Sequence, residues 1–140
     1  MAKSTVFREH VATVLGAALG IDFVPGKLDG PQERRAIACT FPIGIEEVSG
    51  QVDDEALYIG VRVFKTFRQK RDQKAAIDPG PYEALAELVQ TTMRSNQTAG
   101  GLWFNRVVAI DLSQIDTAHM VEFTIMGRLE NLGLIETAAP

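Results

Sequence analysis

The segment Leu57–Phe67, LYIGVRVFKTF, places the tightest constraint on the fold. Leu57, Ile59, Val61 and Val63 alternate with Tyr58, Arg62, Phe64 and Thr66. Successive side chains of a strand point to opposite faces, so a period of two with one wholly apolar face predicts a sheet covered on one side. The chain then turns abruptly basic at Arg68, Lys70, Arg71 and Lys74, with Asp72 among them. It continues into Asp78-Pro79-Gly80-Pro81, capping and first-turn residues that open a helix. A strand this long, running into an exposed basic run, is more than a domain needs to close its own core. It predicts an arm that reaches toward a partner.

The remaining elements follow from periodicity. Residues 4–19 read as an amphipathic helix, with Phe7, Val11, Val14, Leu15 and Ala18 at helical spacing, Ser4 as candidate N-cap and Gly20 as C-terminal cap. Ile21–Val24 is a short extended piece stopped by Pro25-Gly26, and 26–35 is a polar loop. Arg35–Ile45 reads as a strand ended or bent by Pro42 and Gly44. The acidic connection 46–55 joins it to the long strand as an antiparallel hairpin. Tyr82, Leu85, Ala86, Val89 and Met93 mark a second helix ending near Asn96. Leu102–Ile110 and Met120–Leu129 are the last strands, the second with Val121, Phe123 and Ile125 inward.

This order predicts an α+β fold: a two-layer, mostly antiparallel four-stranded sheet with two helices packed on one face. The other face is expected to stay partly open, carrying Tyr58, Arg62, Phe64, Trp103 and Met126. Aromatics mixed with charge are an interface composition. Residues 1–130 are expected to form a single α+β domain and 131–140 a flexible tail.

Composition narrows the function classes. At 140 residues and 46% hydrophobic, the chain fits one folded domain with a sizeable core. Its single cysteine, Cys39, excludes an intrachain disulfide and a multi-cysteine zinc site. Cys39 lies inside the apolar run AIACTF, which suits a buried thiol in a reducing, cytoplasmic compartment. A net charge of −4 argues against a dedicated nucleic-acid binder but leaves room for a local basic patch. The stretch VFREHVATVLGAALG is interrupted by Arg8, Glu9 and His10 and does not read as an export signal. No apolar run approaches the roughly 20 residues that span a bilayer, so no membrane association is expected.

Nothing in the chain resembles a catalytic motif, and neither enzymatic activity nor a cofactor is expected. His10 sits beside core positions of the first helix, as a packing histidine does. Asp111, Asp116 and His119 offer a possible ligand set for a metal, which a solvated hairpin turn explains equally well. Asp53-Asp54-Glu55 lacks the spacing of a calcium loop and reads as a turn. Asn96-Gln97-Thr98 matches a glycosylation acceptor by chance. Arg68, Lys70, Arg71 and Lys74 remain as the candidate interaction residues, offering salt-sensitive attraction to phosphates or acidic subunits without sequence readout.

The helix VFREHVATVLGAALG, the strand LYIGVRVFKTF, the helix PYEALAELVQTTMR and the closing strands LWFNRVVAID and VEFTIMGRLE resemble, in order and hydrophobic pattern, the tail terminator proteins of long-tailed bacteriophages. These are also called tail completion or tail-to-head joining proteins. The likeness covers most of the chain and rests on no signature motif. It implies a structural subunit of the virion tail and neck, assembled in the host cytoplasm as a hexameric ring. Such a ring caps the tail tube, stops its polymerisation and joins it to the head-side connector. Its implied partners are copies of itself, the major tail tube protein and the connector, with non-specific contact to DNA passing through the lumen. Other readings stay open at this point: a different neck or tail component such as a connector or tube subunit, a small-molecule-binding α+β module, or a nucleic-acid binder.

Overall fold

The computed structural model describes residues 2–30, 36–47, 55–67, 77–96 and 103–129. They form α1 (Lys3–Leu19), β1 (Phe23–Pro25), β2 (Ile37–Glu47), β3 (Glu55–Phe64), α2 (Gly80–Ser95), β4 (Trp103–Asp111), α3 (Ile115–Ala118) and β5 (Met120–Leu129). The fold is α+β, with one mixed five-stranded sheet in the order β1-β2-β3-β5-β4. The expected four-stranded antiparallel sheet is therefore corrected. The extended piece after α1 joins the sheet as β1, parallel to β2, while β2, β3, β5 and β4 pair antiparallel.

The two long helices pack on the same sheet face. Phe7, Val11 and Leu15 of α1 recur every fourth residue and are buried, which puts one stripe of the helix against the sheet. Tyr82, Leu85, Ala86, Val89 and Met93 do the same for α2. Both stripes meet Leu57, Ile59, Val61 and Val63 of β3 and Val121, Phe123 and Ile125 of β5 in one apolar core. The register places Val63 beside Val121, Val61 beside Phe123 and Ile59 beside Ile125. The Phe7 ring lies so close to β5 that a Cβ at Gly127 would stand 2.3 Å from its Cζ. Glycine is required there by close approach, not by backbone conformation.

The ends of the elements differ in detail from expectation. α1 begins one residue before Ser4, with Ala2 at the N-cap and no side-chain cap. Gly20 does close it, in the left-handed conformation at φ 65°, its N–H donating to Gly16 O. At α2 the Asp78 carboxylate accepts from the Gly80 N–H at 3.0 Å, and Pro79 occupies the cap position. β2 is bent, not ended, by its Pro42–Gly44 stretch: the register shifts there, leaving Ile43 as the extra residue of a bulge. A second bulge leaves Val108 extra in β4. No helix among the described residues is long and apolar enough to cross a membrane.

Candidate interaction surface

The second sheet face changes character along the strands. At one end Ile37, Phe64 and Met120 are adjacent in register and buried beneath Val24, Leu28 and Ala118. Phe64 is on the expected face but only 1% exposed, because the chain after β1 folds back over it. In the middle, Arg62 organises that chain. Its Nε lies 2.6 Å from Glu122 Oε2, its Nη1 donates to Leu28 O at 2.8 Å, and Asp29 stands 3.8 Å away. Phe41 crosses over Gly60, its opposite residue, and takes the Arg62 guanidinium and the Lys27 ammonium each at 5.4 Å from its ring. The other end is not covered by any of the described residues. Tyr58, Thr124 and Met126 are half-buried there, and Arg106 is exposed.

The two sheet edges at that open end are accessible as well. β1 pairs with β2 only over Ala38–Thr40. Beyond it, the outer edge of β2 carries Ile43 at 54% and Ile45 at 60% exposure, followed by exposed Glu46. Ala38 N–H donates to Asp22 O and Thr40 O accepts from Gly26 N–H, so these residues turn their backbone groups away from β3. Alternation gives Pro42 the same orientation, and its nitrogen has no N–H to offer a further strand. At the opposite edge, Gln90 and Arg94 of α2 and Arg106 and Val107 of β4 line a shallow groove of about 210 Å³.

The basic residues Arg68, Lys70, Arg71 and Lys74 lie outside the described residues, in the stretch 68–76. Its two flanks are well anchored. Phe67 and Ile77 both pack on the core, and Phe67 meets Tyr82 edge-on with centroids 4.8 Å apart. The Tyr82 hydroxyl donates to Lys65 O at 2.9 Å. Its oxygen is left to accept from His119 Nδ1 at 3.2 Å, which assigns the proton to that nitrogen. The His119 carbonyl accepts from Lys65 N–H at 3.0 Å, so both of its bonds hold a left-handed backbone at φ 50°. Burial raises the Tyr82 phenol pKa, opposed by a backbone hydrogen bond from Phe67.

The residues with chemical potential are dispersed. Cys39 is fully buried, its Sγ accepts from Leu28 N–H at 3.4 Å, and burial raises its thiol pKa against hydrogen bonds from Leu28 and Arg62. That is the reverse of an activated nucleophile. His10 is half-buried on α1, with Nε2 enclosed and without a hydrogen-bond partner among the described residues, and burial lowers its pKa. The Asp111 carboxylate accepts from Ser113 N–H at 2.8 Å and is held low chiefly by hydrogen bonds from Ser113. Asp116 lies in the one-turn α3, where a plain hairpin turn was expected. No three His, Cys, Asp or Glu side chains come together among the described residues, so Asp111, Asp116 and His119 do not form the envisaged cluster. Glu55 begins β3, while Asp53 and Asp54 lie outside the described residues. Asn96 is the C-cap of α2 and its carbonyl accepts from buried Asn105; Gln97 and Thr98 lie outside the described residues.

The chain matches no model of a known protein family and no curated protein.

Proposed function

We propose that this chain is a structural protein of a long-tailed bacteriophage, resembling a tail terminator. It forms a ring, expected to be hexameric, that caps the tail tube, stops its growth and joins it to the head-side connector. The observation that carries the reading is the asymmetry of the sheet. One face is closed by two helices, while among the described residues the other is uncovered at one end, where Tyr58, Met126 and Arg106 share a row; the adjoining β2 edge carries exposed Ile43 and Ile45. Such a surface suits association with protein partners. The stretch containing Arg68, Lys70, Arg71 and Lys74 lies in sequence between Phe67 and Ile77, which pack on the core, and its basic charge suits contact with a neighbouring subunit or with DNA in a lumen. No enzymatic step and no cofactor enter this reading.

Native mass spectrometry of the purified full chain, alone and with tail tubes of the same phage, tests it. A closed ring bound to tube ends is the expected result. Filaments of the isolated chain would favour a tube subunit instead, and a monomer that ignores tubes would remove the proposal.

A further inference from the structure

Four residues form one row across the open face: Gly44 pairs with Tyr58, Tyr58 with Met126, and Met126 with Arg106. This row ends at both accessible edges of the sheet. On the β2 side it is flanked by exposed Ile43 and Ile45 and by Glu46. The sequence beyond is acidic, with Glu47, Asp53, Asp54 and Glu55 and no lysine or arginine between Glu46 and Ala56. On the β4 side it meets the groove of Gln90, Arg94, Arg106 and Val107, next to Val108 at 40% exposure. Among the described residues the β2 edge therefore presents Glu46 and the β4 edge Arg94 and Arg106, each beside apolar branched side chains and at the same level of one sheet.

We infer that the end of β2 in one copy docks into the Arg94–Arg106 groove of the next copy, seating Ile43 and Ile45 beside Val107 and Val108 and Glu46 against the arginines. The inference deepens the ring-forming reading and rests on it for the identity of the partner. The contact is heterologous, using two different patches, so each copy keeps one free donor end and one free groove until the assembly closes. Side chains carry it. Pro42 and the two bulges disfavour a continuous backbone ladder between copies, which also guards against open-ended strand addition. Arginine pairs with carboxylate through a planar fork, so charge sets the register while the isoleucines supply the desolvated centre.

The test uses two full-length variants: Ile43→Asp with Glu46→Arg, defective at the donor end, and Arg94→Glu with Arg106→Glu, defective at the groove. All four positions are exposed, and unchanged circular dichroism and melting check folding. Arg94→Gln with Arg106→Gln provides a milder second groove variant. Sedimentation should show assembly by the wild type and monomers for each variant, with about a 10-fold or greater loss of affinity for the Gln pair. A mixture of the two defective variants should give 1:1 dimers, because each retains one intact half. Wild-type-like assembly by either variant, a monomeric wild type, or a mixture that stays monomeric would overturn the contact. Rings that depend on these residues but ignore tail tubes would defeat the capping function and leave the contact standing. Tube capping by the variants would do the opposite.

Discussion

Arg62 and Glu122 stand opposite each other on β3 and β5, Nε 2.6 Å from Oε2, with side chains only 16% and 27% exposed. The same guanidinium holds Leu28 O, so one ion pair ties the chain after β1 to the sheet. Partial burial makes such a charge-assisted bond stronger than an exposed pair. Arg62→Leu should cost about 2 kcal/mol in urea unfolding and Glu122→Gln about 1 kcal/mol. A double-mutant cycle should show non-additivity, and amide exchange should quicken at Leu28. Strict additivity with unchanged exchange would show that the pair does not hold this segment.

Gly127→Ala and Gly60→Ala should separate two kinds of close approach. The Phe7 ring over Gly127 is fully buried and has little room to shift. Its overpacking should cost about 1–3 kcal/mol. Phe41 over Gly60 is 9% exposed where Phe7 is 0%, so its ring has more room to give way and the loss should be smaller. Phe7→Leu should partly rescue Gly127→Ala and leave Gly60→Ala unchanged. Thermal melting of the three single and two double variants decides this.

Removing the Tyr82 hydroxyl strips Lys65 O and His119 Nδ1 of a shared partner. Tyr82→Phe should cost about 1–2 kcal/mol. The wild-type pH profile should also change in a defined direction. The folded phenol pKa is raised above 10.0, so its contribution is complete below that unfolded value and is lost as pH rises through the folded one. Tyr82→Phe should therefore flatten the alkaline decline in stability.

His10 acts at the acid side. Its folded pKa is lowered below 6.5 by burial, so the unfolded chain takes up the proton first as pH falls. Stability should decline as pH drops below 6.5, and the decline should level off once the folded value is passed. His10→Gln should reduce the fall in melting temperature between about pH 7 and about pH 5. Equal slopes for the two proteins would assign the acid sensitivity elsewhere.

Much of the architecture was legible because burial followed local period. The α2 stripe from Tyr82 to Met93 and the alternation through Val121, Phe123 and Ile125 match the buried positions one for one. What escaped depended on distant partners or short pieces. β1 was readable as a short extended piece at Ile21–Val24, but its parallel pairing with β2, which begins well along the chain, has no local signal. α3 has four residues, too few for a periodic signal. Phe64 looked exposed by alternation and is covered by Val24 and Leu28 from elsewhere. Arg62 looked like a surface residue, yet its partner Glu122 is 60 residues away. On the candidate surface, Tyr58 and Met126 were readable from strand phase. The exposed Ile43 and Ile45 were not: the stop at Pro25-Gly26 was readable, but not that the piece it ends pairs with β2 only over Ala38–Thr40 and, among the described residues, leaves the rest of that edge uncovered. The basic residues Arg68 to Lys74 were the plainest signal, and they lie outside the described residues.

The most direct test of the capping function is the length distribution of tail tubes, measured by electron microscopy with and without this protein. Tubes polymerised in its presence should stop growing and carry a ring at one end, while tubes grown without it should lengthen indefinitely. Equal lengths in both conditions, with no added density at the tube ends, would contradict a terminator role.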